Sequence, residues 1–465
     1  MPSSTPHFHI VGGGPVGFLT ALLIAKEGYT STVYERNTHI PDNLEESYPL
    51  GINPRGLYAL AQASSVIADH VRSTGRLLKS LEIWGSTQRY AKIDSGVVYA
   101  TSRASVNLLL LEAAQENPKI TIRFGHKLAN IDFGTRQLEF DVLGEAESTT
   151  TVLVDASADR VIAADGNHSR VRTSLASHDP TFHVQLTPWS YECRILFGEG
   201  FATTKDLDPS IDYVINGCYT CQLTTQNTPR WTCALAVHDH DPASQRALIL
   251  SQNATPQNIS ALQTLVKRLS PRFAPLIDQN DLTSFFFRRT FRGSIVKCSH
   301  LNHHEWIAFL GDAAHSVIPA TGEGLNSGLQ DASILVTKCI RSNLSTAFAT
   351  YNQIRITDLH ALTEYALYEN AVPIFQGEVL ARSMFTILEG ALGPTIVESL
   401  FGPRAVERKE YGELVRRWRR KKMVILPLCR VVAWPIGVAL EVVFRVIALL
   451  RRMVGGVVDK EAKEL

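Results

Sequence analysis

The 465 residues are 45% hydrophobic, enough for two or three ordinary domains with sizeable cores, which excludes a disordered chain and a stapled mini-protein. Lys plus Arg number 46 against 45 Asp plus Glu, a formal +1, which excludes a surface that wraps nucleic acid throughout. Seven cysteines, odd in number and unclustered, exclude a disulfide framework and point to a reducing compartment.

The opening MPSSTPHFHIVGGG has no basic region followed by an apolar core, so no cleavable secretion signal is expected. His7 to Val11 reads as a strand ending in glycines, Pro15 to Lys26 as an apolar helix, and Ser31 to Tyr34 as a second strand. Such a βαβ unit builds a parallel sheet with a right-handed crossover. Inside it Gly12, Gly14 and Gly17 form G-x-G-x-x-G, and Glu35 closes the second strand. The glycines allow a tight turn whose amides, with the helix N-terminus, face a pyrophosphate, while the acid accepts hydrogen bonds from a ribose. An acid at that point disfavours a 2′-phosphate, so FAD or NAD fits better than NADP.

Farther on, Pro54 to about Ala68 is helical with Asn53 as N-cap, Ala104 to Glu116 is a helix, and Ile120 to Phe124 is a strand. Val161 to Ala164 is an apolar strand that runs into Asp165-Gly166 and a basic helix start. Between about 180 and 300 the texture changes to alternating, aromatic and Thr-rich runs at Ser190–Phe197, Ile211–Thr225 and Trp231–Val237. These predict a mostly antiparallel sheet with one face open to a ligand. The lone C-x-x-C, Cys218 and Cys221, has no second pair and reads as small core or loop residues. Trp306 to Leu310 returns as a buried strand and meets Gly311-Asp312, then Pro319 and Gly322-Glu323-Gly324-Leu325-Asn326. Asp312 can reach a ribityl or ribose hydroxyl. Gly322 and Gly324 let amides approach a planar ring, toward which the following helix aims its positive end.

On the segments IVGGGPVG, INPRGLYAL, TSRASVNLLLLEAA, GDAAHSVIPATGEGLNSGLQDA, IRITDLHALTEYALYEN and EYGELVRRWRRKK, the chain resembles the class A FAD-dependent aromatic hydroxylases of the p-hydroxybenzoate hydroxylase fold. Within them it is most similar to the kynurenine 3-monooxygenase branch, over residues 7 to about 425, the middle sheet matching loosely. The resemblance implies an α/β fold, a Rossmann-like FAD-binding domain interleaved with a mostly antiparallel substrate sheet, plus C-terminal helices. The expected division is 1–179 and 301–400 for the FAD side, 180–300 for the sheet, and 401–465 for a basic, apolar tail.

The same resemblance implies that NADPH or NADH, bound transiently, reduces FAD. O2 then delivers one oxygen to an electron-rich carbon through a flavin C4a-hydroperoxide. It assigns cofactor contacts to Gly12, Gly14, Gly17, Glu35, Arg36, Arg55, Arg103, Asp165, Gly166, Gly311, Asp312, Gly322, Gly324 and Asn326. The reacting end of the flavin falls to Pro319, Gly324, Leu325 and Asn326. Four departures stand out. Glu323 replaces a Gln, and because a carboxylate beside a ring that becomes anionic is unfavourable, it is expected to face solvent, the alternative being a site acid. Where the branch grips an amino-acid carboxylate with Arg, Asn and Tyr, this chain has Lys79 or Leu81, Glu369 and Phe401. That pattern points to a small lipophilic substrate, phenolic, polyene or terpenoid, in secondary metabolism. His238, His240, His303 and His304 read as surface-loop residues and no metal site is expected; His315 reads as structural or flavin-proximal.

Residues 403 to 465 hold 15 Lys and Arg against 7 Asp and Glu, a net of +8, leaving 31 against 38 for the body. The tail combines the basic run 416–422 with an apolar stretch, Met423 to Leu450, broken by Pro427, Arg430, Pro435, Glu441 and Arg445. It reads first as an in-plane anchor through residues 416–452 on the cytoplasmic face of an intracellular membrane. A spanning helix or helices packed on the body are the alternatives.

Overall fold

The computed structural model describes residues 5–40, 48–85, 87–143, 149–199, 206–215, 218–223, 230–371, 373 and 375–461. The chain starts with strand β1 (Phe8–Val11), helix α1 (Pro15–Lys26) and strand β2 (Ser31–Tyr34). Helices α2 (Pro54–Ala63) and α3 (Arg103–Gln115) precede β3 (Ile120–Arg123). Then come β4 (Arg160–Ala163) and α4 (Arg170–His178). Strands β5 (Tyr191–Gly198) and β6 (Trp231–His238) belong to the middle region, and β7 (Ile307–Phe309) returns the chain to the first sheet. Helices α5 (Gly324–Ile334), α6 (Ala347–Asn370), α7 (Gln376–Ala391) and α8 (Tyr411–Glu461) complete it.

Five parallel strands lie in the order β7-β4-β1-β2-β3, with the short strand Asn302–His303 antiparallel at the β7 edge. The central β1 is buried along its length, as expected for a strand covered on both faces. Phe8, Ile10, Val33, Val161 and Ile307 form one core with Phe18 and Leu19 of α1 and Leu329 of α5. This covering of both sheet faces leaves the carboxyl ends of β1, β4 and β7, where Gly12, Asp165 and Gly311 follow, along one rim. The expected helix through Ala68 divides at Ser64, whose side chain caps a second helix, Ser65–Thr74. Downstream of α5 the helix continues through a π-turn at Leu335–Ile340.

The second sheet has seven strands and takes Ser80–Trp84 and Arg89–Asp94 from the first third of the chain as well as the 180–300 region. Every pairing in it is antiparallel except that of Ile211–Ile215 with Ser80–Trp84. Leu196, Trp231, Cys233, Leu235 and Val237 pack under the helices Ala243–Leu250 and Pro256–Leu269. Tyr191, Cys193, Ile195, Phe197, Ala234 and Ala236 form separate apolar clusters with Phe291 on the other face. Of the C-x-x-C, only the backbone pairing lies within the described residues: Cys221 opposes Cys233 in the ladder.

The tail is one continuous helix. Pro427 and Pro435, read from the sequence as interruptions, sit inside α8. Its first half supplies Tyr411, Leu414, Val415, Trp418, Leu426 and Cys429 to a core shared with α6 and α7. Farther along, a side chain at Gly437 would overlap the backbone of Gly377, so α7 and α8 touch backbone to backbone. Between these contacts the outer face is apolar: Met423, Val424, Leu428, Val431 and Trp434 are all exposed. An 18-residue window within Tyr411–Leu440 reaches a mean hydropathy of 2.0, long and apolar enough to cross a membrane by length and composition.

Candidate active site

At the rim of the first sheet, Gly12 has φ +111°, and a Cβ there would overlap the Ala164 carbonyl; a Cβ at Gly17 would overlap the Gly12 carbonyl. Both positions therefore accept only glycine. Gly14 is the N-cap of α1, and the Arg103 guanidinium lies 3.7 Å from where its Cβ would be. Glu35, buried at the end of β2, accepts from the amides of Gly13 and Asn37, each at 2.9 Å. Arg36, next to it, is exposed.

The Asp-Gly and Gly-Asp segments are tied together by Arg172, a residue whose role the sequence did not suggest. This buried guanidinium donates to the carbonyls of Ala313 at 2.9 Å and Asn167 at 2.6 Å. Asp165 Oδ2 caps α4 by accepting from Arg170 N at 2.7 Å and Val171 N at 3.2 Å, while its buried Oδ1 has no partner. Burial raises the pKa of Asp165, and that of Asp312 likewise, against the pull of His315 and Arg103 on the latter. Gly166 has φ +81° with open space around it. Gly311 (φ +56°) donates its amide to Asp331, which also bonds His315 Nε2. His315 is thus a buried structural group.

Along the loop from Pro319 to Asn326, Gly322 has φ +64° and leaves room for the Phe401 ring, which a Cβ would overlap. A side chain at Gly324 would meet nothing closer than 3.7 Å, and Asp312 Oδ1 would be 4.0 Å away. The amides of Gly324, Leu325 and Asn326 open α5 and have no acceptor one turn back. Asn326 spends its side chain on the frame: Nδ2 donates to Gly51 O and Gly322 O, both at 2.9 Å, and Oδ1 accepts from Asn53 N at 3.1 Å. Glu323 departs from expectation: it is not solvent-facing but fully buried, 0% exposed. Its Oε1 accepts from Asn53 Nδ2 at 2.7 Å and its Oε2 from Tyr411 Oη at 2.6 Å, with Arg55 Nε 3.8 Å away. Burial lifts its pKa to about 7, Arg55 and the two donors opposing. Arg55 is itself buried, 4.2 Å over the Tyr411 ring, and donates to the Lys409 and Arg408 carbonyls.

Tyr48, unremarked in the sequence, joins the two sheets. Its ring meets Phe291 edge-on at 5.4 Å, and its charged neighbours are Arg103, Asp312 and Arg289. It keeps 38% of its surface open, and desolvation by its surroundings raises its pKa. Glu369, half-buried on α6, accepts the Tyr365 hydroxyl; burial raises its pKa, with Arg382 and Lys422 opposing. Its neighbour Asn370 binds Ser190 N at 2.8 Å and thereby fixes the end of α6 to the start of β5. Leu81 is half-buried in its strand. Lys79 is a surface residue with a 73% exposed side chain, 3.9 Å from Asp208.

Residues 6–355 match the family described as FAD binding domain. The chain belongs to that family. Curated relatives place it in the kynurenine 3-monooxygenase-like branch: the Neurospora crassa enzyme of that name is 24% identical over 90% of this chain and 88% of its own length. The Drosophila willistoni enzyme is 27% identical, covering 88% and 90%. Among solved structures, p-nitrophenol 4-monooxygenase PnpA from Pseudomonas putida DLL-E4 superposes with a TM-score of 0.60 at 19% identity, over 79% of this chain and 89% of that one. A variant of Klebsiella pneumoniae HpxO complexed with FAD gives 0.57 at 18%, over 79% and 90%. This member of the family is accordingly an FAD-dependent monooxygenase that uses NAD(P)H and O2.

The residues of this monooxygenase fit the flavin. The buried Asp165 Oδ1 has no partner in the protein and can accept from a hydroxyl, and Gly166 and Gly324 leave space beside the backbone. When bound, FAD supplies the redox chemistry. The groups that would hold it are the N-terminus of α1 and Arg103 for phosphates, Glu35 for a ribose, and the positive end of α5 for the ring.

Proposed function

We propose that the enzyme inserts one oxygen atom into an electron-rich, lipophilic small molecule, and not into a free amino acid, within secondary metabolism. The carrying observation is the apolar sheet face of Tyr191, Cys193, Ile195, Ala234 and Ala236, with Phe291, on the side of the second sheet away from its two covering helices. Phe401, seated on Gly322, adds a phenyl ring where the similar branch has a phenol. On this reading Phe401 and Leu81 exclude water, Glu369 accepts one donor of the substrate, and Pro319 walls the ring side. The test is NADPH oxidation and O2 uptake across phenols, polyenes and terpenoids, with a product one oxygen heavier. Stoichiometric hydroxylation of kynurenine would overturn the reading.

We also propose that the outer face of α8 lies on a membrane surface with the basic run 416–422 at its start, on the cytoplasmic side. The exposed Met423, Val424, Leu428 and Val431 support this. Truncation at Val415 would strip Trp418 and Leu426 from a core, so the sharper test replaces those four exposed residues with Ser. Liposome flotation should fall while the folded fraction stays constant; unchanged flotation would remove the anchor.

A further inference from the structure

Two buried polar chains leave the two loops at the rim and end at adjacent residues of α8. The first starts at Glu323, whose carboxylate joins Asn53 to Tyr411; Asn53 Oδ1 in turn caps α2 through the amides of Arg55 and Gly56. Arg55 covers the Tyr411 ring and holds the carbonyls of Arg408 and Lys409, where Arg408 adopts φ +48°. The second starts at Gly311. Its amide bonds Asp331, whose other oxygen accepts from Arg355 Nη2 at 2.8 Å and Nε at 3.0 Å. Arg355, fully buried, also donates to Asp358 at 2.6 Å, and Asp358 accepts from the Gly412 amide at 2.7 Å. The start of α8 is thus bonded to both loops, through Tyr411 on one side and Gly412 on the other.

We propose that Tyr411 is a positioning residue for the flavin: acting through Glu323, it sets the Gly322–Gly324 backbone against the flavin ring. Glu323 turns its side chain into the body, where donors on two other segments occupy both oxygens. The peptide units on either side of it are therefore fixed by a residue of the tail helix, 88 positions away. An ordinary solvent-facing residue at 323 would leave Gly322, already in the left-handed region, held through Pro319 O and Asn326 Nδ2 but not through the tail helix. Because both glycines lack side chains, the Glu323 anchor is the one side chain in that triplet that can hold the loop. The inference rests on the assignment of this loop to the flavin ring.

The experiment uses the full-length holoenzyme with four substitutions: Tyr411→Phe, Glu323→Gln, both together, and Gly324→Val. Tyr411→Phe keeps the ring under Arg55 and removes only the hydroxyl. It should shift the flavin absorbance band, weaken FAD binding about tenfold and raise peroxide released per NADPH, as for loss of one buried hydrogen bond. Glu323→Gln should act in the same direction, and the double variant should match a single one. Arg419→Ala, which removes a surface pair between α8 and Glu364 of α6, should leave spectrum and FAD affinity unchanged. A wild-type spectrum and affinity in Tyr411→Phe, or fully additive effects in the double variant, would overturn the proposal. If Gly324→Val also leaves the flavin spectrum unmoved, the loop assignment itself fails; if only Gly324→Val shifts it, the role of Tyr411 fails alone.

Discussion

The two glycine-bearing loops, Gly12 to Gly17 and Pro319 to Asn326, are held in opposite ways. Gly12 to Gly17 is fixed by its own backbone: neighbouring carbonyls leave no room for side chains, and the residues that enforce this lie within one βαβ unit or on the next strand. Pro319 to Asn326 is fixed by side chains from afar, Asn53 and Tyr411, which sit 270 and 88 residues away from Glu323. A loop of the first kind fails when a methyl is added to it. One of the second kind fails when a distant partner is removed, and it can be tuned by protonation.

The largest expected effect is on the distant supports. Arg355→Met leaves Asp331 and Asp358 buried without their shared cation and should lower unfolding free energy by about 3–5 kcal/mol in urea titrations. A loss under 1 kcal/mol would show that Gly311 and the start of α8 do not depend on that network. Glu323→Gln comes next. In the wild type the carboxyl is protonated in the folded state up to about pH 7 but ionises near 4.5 when unfolded. Its stabilising contribution is therefore complete below about pH 4.5 and lost as pH rises through 7, on the order of 3 kcal/mol at roughly 1.4 per unit. The Gln variant should lack this slope when melts at pH 5 and pH 8 are compared; an unchanged slope refutes the assignment. Gly12→Ala should weaken FAD retention by about thirtyfold, roughly 2 kcal/mol of overpacking and strain, read as flavin content of the purified protein. Lys79→Ala should change stability by no more than about 0.5 kcal/mol and leave turnover alone, since its ion pair is at the surface. Any marked change in kcat/KM there would bring Lys79 into the site.

What the sequence shows of this molecule follows the same divide. The glycine loop, Glu35, the Asp-Gly and Gly-Asp turns and the texture of the second sheet are legible because local backbone geometry and strand alternation dictate them. Asn53 reads as an N-cap for the same reason, and it is one. Its second bond, to Glu323, is invisible because nothing local signals it. The electrostatic argument about Glu323 recognises that a carboxylate is unfavourable beside the ring, but it has two refuges, solvent and the interior. The protein uses the interior because Asn53 and Tyr411 supply donors there. Arg172, Arg355 and Tyr48 escape notice likewise: their partners are carbonyls, carboxylates and rings brought together only by the fold. The prolines of the tail mislead in the other direction, since each removes one hydrogen bond yet a helix packed against α6 and α7 tolerates both.

The backbone contact of Gly377 with Gly437 gives the tail helix a fulcrum. With no side chains between them, the two backbones meet directly and cannot be pressed closer. Tyr411 lies 26 residues up the helix, a lever arm of about 39 Å at 1.5 Å per residue. A tilt of about 3° would swing its hydroxyl by roughly 2 Å, enough to part it from Glu323. The brake on that swing is the aromatic latch of Trp418 against Tyr365 and Tyr368, with ring centroids 5.5 and 4.9 Å apart and Lys422 over both Trp418 and Tyr368.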